Sequence, residues 1–509
     1  MTAEPFRTDR HIVPRWRPFR LTTRLGELAI PNTTKGAHVR HVPTADLERC
    51  LRRWESEQTL ENAAELVAAA IVARQETVAL QAAHFVITSK TVMPLVARQA
   101  AIVLERSGQL PVIQSLSEAA QSYSVRACRQ RTRDYPNDAL AWADLAFAHV
   151  LAGNNDSAER AIRVALGLAP NDRHILRAAA RFHVHAGDHS AAHDVLARSD
   201  VTKHDPWLMA SEIAVSHLAK RKPRSFKTGQ QMLDDFAHDH GQITELAAAI
   251  ATVHLRDGNR RARKMFILSA DKPNGNALAQ VEWAVPLMGS EFEIKPGESN
   301  PDGAEARLFH HYRTGEFEEA LQACTDWAVE EPYSTRPFAF KSSIATVLRR
   351  YEQAIEFAET GLKLQPHHPT LLNNKAYALA ALNRLEEALE TVKLANLHSP
   401  ETAKGVPTAT LGMIHFRLGD HASGRKHYRD AIAWLGRNRM LPSAALATAY
   451  FAKEAARANA ADAAELLREA KHECDRFPFL PEAPSILNRA EYWLAAHGMR
   501  NTNATPSRR

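Results

Sequence analysis

A step of 34 residues recurs along this chain and limits what it can fold into. Pro332, Pro366 and Pro400 are 34 apart, as are Ala320, Ala354 and Ala388. Nearer the start the same step joins Pro136 to Pro170, Gly153 to Gly187, Ala146 to Ala180 and Ala158 to Ala192. One period shared by several residue types implies a repeated unit, and this period is that of a helix–turn–helix pair. Each residue type has a physical role in such a unit. Alanine lets two helices cross closely. Glycine takes the left-handed conformation that ends a helix. Proline is excluded from helix interiors but starts or precedes the next helix without penalty.

At 509 residues the chain is either several domains or one long array. Alanine and leucine dominate its apolar share, which favours helix over sheet. No apolar run approaches the length of a membrane span, so no membrane partner is expected. The first residues lack the apolar core of a secretory signal, and Pro5, Pro14 and Pro18 argue against an amphipathic transit helix. Cys50, Cys128, Cys324 and Cys474 are scattered with no CxxC pair, which reads as reduced thiols in a cytoplasmic protein and no metal site. Residues 1–44 hold eight basic and three acidic side chains, a surplus of five within a net charge of +6. The basic character therefore belongs to an N-terminal arm and not to the body.

The chain divides on this reading into seven stretches. Residues 1–43 form a basic Pro/Arg-rich extended arm, with a short strand or helix near 25–30, and helix begins at Thr44, the expected cap. Residues 44–135 make degenerate helical hairpins, and 136–288 a first repeat array. Residues 289–303 combine Pro, Gly and acids in a loop or hinge. A second array covers 304–436, a helical cap 437–498, and a disordered polar tail 499–509.

The pattern resembles the tetratricopeptide repeat family. It is carried by Trp142, Leu145, Ala146, Gly153, Ala158 and Pro170, by Leu176, Ala180, Gly187 and Ala192, and by Gly315, Phe317, Ala320 and Pro332. Tyr351, Ala354, Pro366, Leu372, Ala376, Leu385, Ala388, Ala395, Pro400, Leu411, Gly412, Gly419, Tyr428 and Ala431 continue it. The resemblance implies an all-α, right-handed superhelical solenoid of stacked antiparallel helix pairs. It further implies a concave face, lined by first helices, that binds peptides or proteins.

Candidate chemistry is sparse. His149, His183, His254, His311 and His415 each precede a turn glycine by four residues, so they occupy one structural slot and do not share a metal. Asn373, Asn374 and Tyr377 lie on a first helix and are candidates for hydrogen bonding to a partner backbone in the groove. Some relatives clamp a terminal carboxylate with Lys and Asn residues. Here Ala339, Ser343, Val406 and Thr410 leave that clamp incomplete. Arg177 and Arg181, one turn apart, are placed to grip an acidic group, with Phe147 at the matching position one unit earlier. Arg15, Trp16, Arg17, Phe19 and Arg20 interleave cations with aromatics on the arm. Such a segment packs on its own body, anchors a protein, or holds nucleic acid.

No phosphate loop, GxSxG or HExxH occurs. The expected function is a non-catalytic, cytoplasmic scaffold or adaptor that docks a protein or peptide in its groove, as a subunit of a larger bacterial assembly. No cofactor, metal or small-molecule substrate is expected. A nucleic-acid-associated role through the arm is the alternative.

Overall fold

The computed structural model describes residues 10–16, 43–73, 75–89, 94–106, 125–234, 240–271, 273–288, 303–477 and 480–503. These contain 25 α-helices and no strand. They fall into two compact units. One comprises residues 10–15 with the described residues from His183 onward; the other holds Trp16 and the described residues up to Phe182.

Within each unit short turns reverse the chain, so consecutive helices pair antiparallel. In the second unit Ala139–Leu151 pairs with Asn155–Leu168. In the first, Pro369–Ala381 pairs with Leu385–His398, and Gly405–Arg417 with His421–Arg437. First helices also pack on the first helices of neighbouring pairs, giving continuous layers.

The turns share one device. Gly153, Gly187, Gly258, Gly315 and Gly419 have φ between +65° and +85°. In each, the N–H following the glycine donates to the carbonyl five residues back, that of His149, His183, His254, His311 or His415. This bond satisfies a carbonyl that the helix end would otherwise leave open. The repeated histidine is therefore a helix-end residue. His311 Nδ1 lies 2.6 Å from Glu316 and His415 Nδ1 3.4 Å from Asp420, acids just past the turn. His254 and His149 are buried. Lys220, Arg349, Asn383, Arg439 and Asn459 take the same left-handed conformation without being glycine.

The periodic alanines sit where helices cross. Ala146, Ala158, Ala180, Ala192, Ala320, Ala354 and Ala388 are all fully buried. Gly412 marks a still tighter approach: a Cβ there would lie 2.7 Å from the Tyr428 ring. None of the four cysteines is disulfide-bonded, and Cys50, Cys324 and Cys474 are packed in the core.

The boundaries differ from expectation at both ends of the body. The first described helix is Pro43–Ser56, so helix starts at Pro43, as suits a residue whose missing N–H costs nothing in a first turn. The last helix runs Ala483–Asn503, so helix continues past 498 into the stretch expected to be disordered. The expected element near 25–30 and the loop at 289–302 lie outside the described residues.

Candidate docking groove

Residues 10–15 form an extended segment lying against first helices of the larger unit. Burial alternates along it: Arg10, Ile12 and Pro14 are buried, while His11, Val13 and Arg15 are half-buried. Alternate side chains thus face the helices, with a tight turn centred on Ile12, where the Val13 N–H donates to the His11 carbonyl at 2.8 Å. Ile12 enters an apolar cluster with Met209, Ile213 and Ile250. His11 packs at a tilt against His217, ring centroids 4.8 Å apart, and Arg256 Nη2 lies 3.2 Å from its Nε2.

The helix Gly275–Ala284 reads the segment's main chain. Gln280 Nε2 donates to the Arg10 carbonyl at 3.0 Å and to Thr252 Oγ1 at 3.0 Å. Asn276 Nδ2 donates to the Val13 carbonyl at 3.1 Å. The other atom of each amide accepts from the Arg10 guanidinium, at 2.6 Å for Gln280 Oε1 and 2.9 Å for Asn276 Oδ1. Both amides are thus oriented by donors and acceptors together.

Glu305, at the start of the helix Ala304–Thr314, is the centre of charge. Its carboxylate accepts from Arg10 Nε at 2.9 Å and Arg10 Nη2 at 2.7 Å, a two-pronged pair. It also accepts from Arg15 Nη2 at 2.8 Å and Arg336 Nη2 at 2.7 Å. Arg15 reaches Glu330 Oε2 at 3.4 Å and Glu331 Oε1 at 3.9 Å as well. Burial alone would raise the Glu305 carboxyl; the guanidiniums of Arg10, Arg336 and Arg15 outweigh it and hold it well below the usual carboxylate range. His11 is shifted the other way for a base: burial, then the nearby Arg256 and His217, push it down to about 2. The docked histidine is neutral.

In the other unit Trp16, only 2% exposed, sits edge-on to Phe147 at 5.3 Å and to Phe182 at 6.1 Å. Phe147, expected to line an open groove, is thus buried beneath an aromatic of the arm. Arg177 and Arg181 are half-buried and already have partners within the chain. Arg17, Phe19 and Arg20 lie outside the described residues.

Asn373 and Asn374 lie in the interior. Both are buried and bridge neighbouring pairs. Asn374 Nδ2 donates to the Ala339 carbonyl at 3.0 Å and to Ser342 Oγ at 2.9 Å, and Asn373 Oδ1 accepts from Thr410 Oγ1 at 2.8 Å. These bonds reach first helices of the preceding and following pairs, Arg336–Val347 and Gly405–Arg417, which is why asparagine is tolerated inside this one. Tyr377 is buried too, but it borders a cavity of about 720 Å³ also walled by Tyr351, Arg417, Tyr450, Lys453 and Arg457. There Lys453 Nζ donates to Tyr377 Oη at 3.2 Å, and Glu454 takes Arg417 at 3.2 and 3.3 Å. The expected groove residues therefore fall in separate units, with Phe147, Arg177 and Arg181 in one and the Asn373–Tyr377 set in the other.

A unit that combines the 34-residue step, the left-handed turn residue and the alanine crossings defines the repeat type. The repeats are tetratricopeptide-like. No family model matches the chain, and no curated protein matches it. Solved structures similar to it include yeast Tom70, at 13% identity over 88% of this chain and 99% of that chain, with a TM-score of 0.34. Another is the APC/C hetero-tetramer Cut9-Hcn1, at 14% identity over 88% of this chain and 93% of that chain, with a TM-score of 0.33. A third is the human IFIT1 dimer with PPP-AAAA, at 17% identity over 74% of this chain and 95% of that chain, with a TM-score of 0.37.

The groove residues Asn276, Gln280, Glu305 and Arg336 of this tetratricopeptide-like array are absent from the sequence-based candidates. A signal for them exists. Asn276 and Gln280 stand one turn apart within GNALAQVEWA, on a helix buried throughout. Polar residues in such a helix need partners. The partner is a segment some 266 residues away in sequence, and no repeat arithmetic relates the two.

Proposed function

We propose that this protein is a non-catalytic docking scaffold that holds an extended polypeptide segment across first helices of its tetratricopeptide-like array. The carrying observation is the pair of amides, Gln280 and Asn276, that hydrogen-bond the carbonyls of Arg10 and Val13. Main-chain recognition supports affinity for extended backbone whatever its sequence, and flanking pockets add selectivity. Among the described residues no helix is long and apolar enough to cross a membrane. A cytoplasmic setting and membership of a larger bacterial assembly complete the proposal, the latter supported by an alanine- and arginine-heavy composition.

A photo-crosslinking residue at Thr252, carried in the full chain, tests this reading. A polypeptide crosslinked in cells and lost in the Gln280→Ala, Asn276→Ala double variant supports it. Crosslinks confined to the chain's own arm count against it. The alternative of nucleic-acid binding through the arm requires binding that falls steeply with salt and disappears without residues 1–43. It is not favoured here, because Arg10 and Arg15 are already paired with carboxylates and Trp16 is buried.

A further inference from the structure

Arg10–Arg15 has the contacts of a bound ligand. One short stretch meets helices Pro206–Leu218, His240–Arg256, Gly275–Ala284 and Ala304–Thr314, and the residues it hydrogen-bonds lie 245 to 315 positions further along. It is read at two carbonyls, at an apolar side chain and at two guanidiniums. The guanidinium of Arg10 is 2% exposed, and every nitrogen it carries faces an acceptor, on Glu305, Gln280 or Asn276. A lysine in its place would reach the same charge but not the same three acceptors.

The walls do not need this occupant to remain paired. Glu305 keeps Arg336, whose Nη2 donates at 2.7 Å. Gln280 keeps the Thr252 hydroxyl at 3.0 Å. Glu331 keeps the Trp327 indole N–H, which donates at 3.1 Å, and Glu330 is half-buried. An emptied groove would thus leave its central carboxylate, Glu305, paired with Arg336, which favours release of an occupant.

We infer that this groove is a docking site for an arginine-bearing extended segment of another protein, and that the chain's own Arg10–Arg15 is a resident competitor for it. The inference rests on the scaffold reading above and adds the chemistry of the partner and its regulation. The pattern recognised is an arginine, an apolar residue two positions later, and a second arginine five positions after the first. Glu305, Glu330 and Glu331 select against acidic segments. The tethered occupant lowers apparent affinity by the fraction of time it sits in the groove, so a partner must carry a better-matched segment or arrive when the arm is held elsewhere.

A fluorescein-labelled peptide with the sequence of residues 9–16 is titrated by anisotropy against the full chain, the Arg10→Ala variant and the Glu305→Gln variant. Far-ultraviolet circular dichroism checks the fold of each. The expected result is binding to Arg10→Ala about tenfold or more tighter than to the parent chain, because the internal rival is weakened. A peptide with alanine for its first arginine does not bind, and Glu305→Gln loses the intact peptide. Equal or weaker binding by Arg10→Ala, or equal binding of the alanine peptide, overturns the inference. If Arg10→Ala does not fold, Arg15→Ala replaces it and is expected to show a smaller gain in the same direction; no gain overturns the inference. Failure here with crosslinking intact at Thr252 leaves the scaffold reading standing with another partner chemistry. Failure of both removes the groove.

Discussion

Acidification is expected to loosen the docked arm through His11. In the groove its ring is neutral and pushed down to about 2, whereas its ordinary value is 6.5. The released segment therefore takes up a proton as pH falls through 6.5, and the docked one does not. Docking is complete above that pH and weakens progressively below it, since protons bind the undocked form. Between about pH 7.5 and about pH 5.5 a single such group weakens docking about tenfold, ~1.4 kcal/mol. Glu305 works in the same direction, but its carboxyl is held below the ordinary carboxylate range, so it contributes only at lower pH. The groups facing His11 are His217, Arg256, Arg10 and Arg336, and three of them keep their charge throughout. The assay is hydrogen exchange of the amides of residues 10–13 and 15, corrected for intrinsic rate with an unstructured peptide. Protection is expected to fall about tenfold across the interval and to lose that slope in His11→Phe. An unchanged protection ratio, or the same slope in His11→Phe, would show that the buried imidazole does not govern docking.

Two further outcomes test the array itself. Asn374→Ala removes both bonds to Ala339 and Ser342 from a fully buried position, and should cost about 1–3 kcal/mol in denaturant titration with no loss of peptide affinity. Glu454→Gln leaves Arg417 and Lys453 buried with a neutral partner. A loss of about 3–5 kcal/mol is expected, and a neutral result would mean that the cavity beside Tyr377 is wetter than its burial indicates.

Much of the architecture was legible before any coordinates. The turn glycines and crossing alanines carry local geometric demands, a left-handed φ at Gly315 and the absence of bulk at Ala320, and such demands recur wherever the unit recurs. The five-fold histidine slot was legible for the same reason. At Asn373 and Asn374, a polar residue on a first helix signals that a partner exists without saying which. Here the partners are Thr410 and Ser342 on the adjacent pairs. The groove was illegible as a groove because half of it is supplied by the arm. The sequence HIVPRWR shows the cations and aromatics, yet its alternation of buried and half-buried positions becomes meaningful only once Gln280 and Glu305 are found beneath it.

The arm segment also changes how this region can come apart. In a linear stack each pair touches only its neighbours, so unravelling can start at any weak point and spread one pair at a time. A segment laid over four helices, from His217 to Glu305, adds links between partners hundreds of residues apart. Those links close late and slowly during assembly, because the intervening chain must first be gathered. Once closed, they bind pairs that would otherwise melt in sequence into one block, and release of a six-residue clasp returns the block to its separate parts.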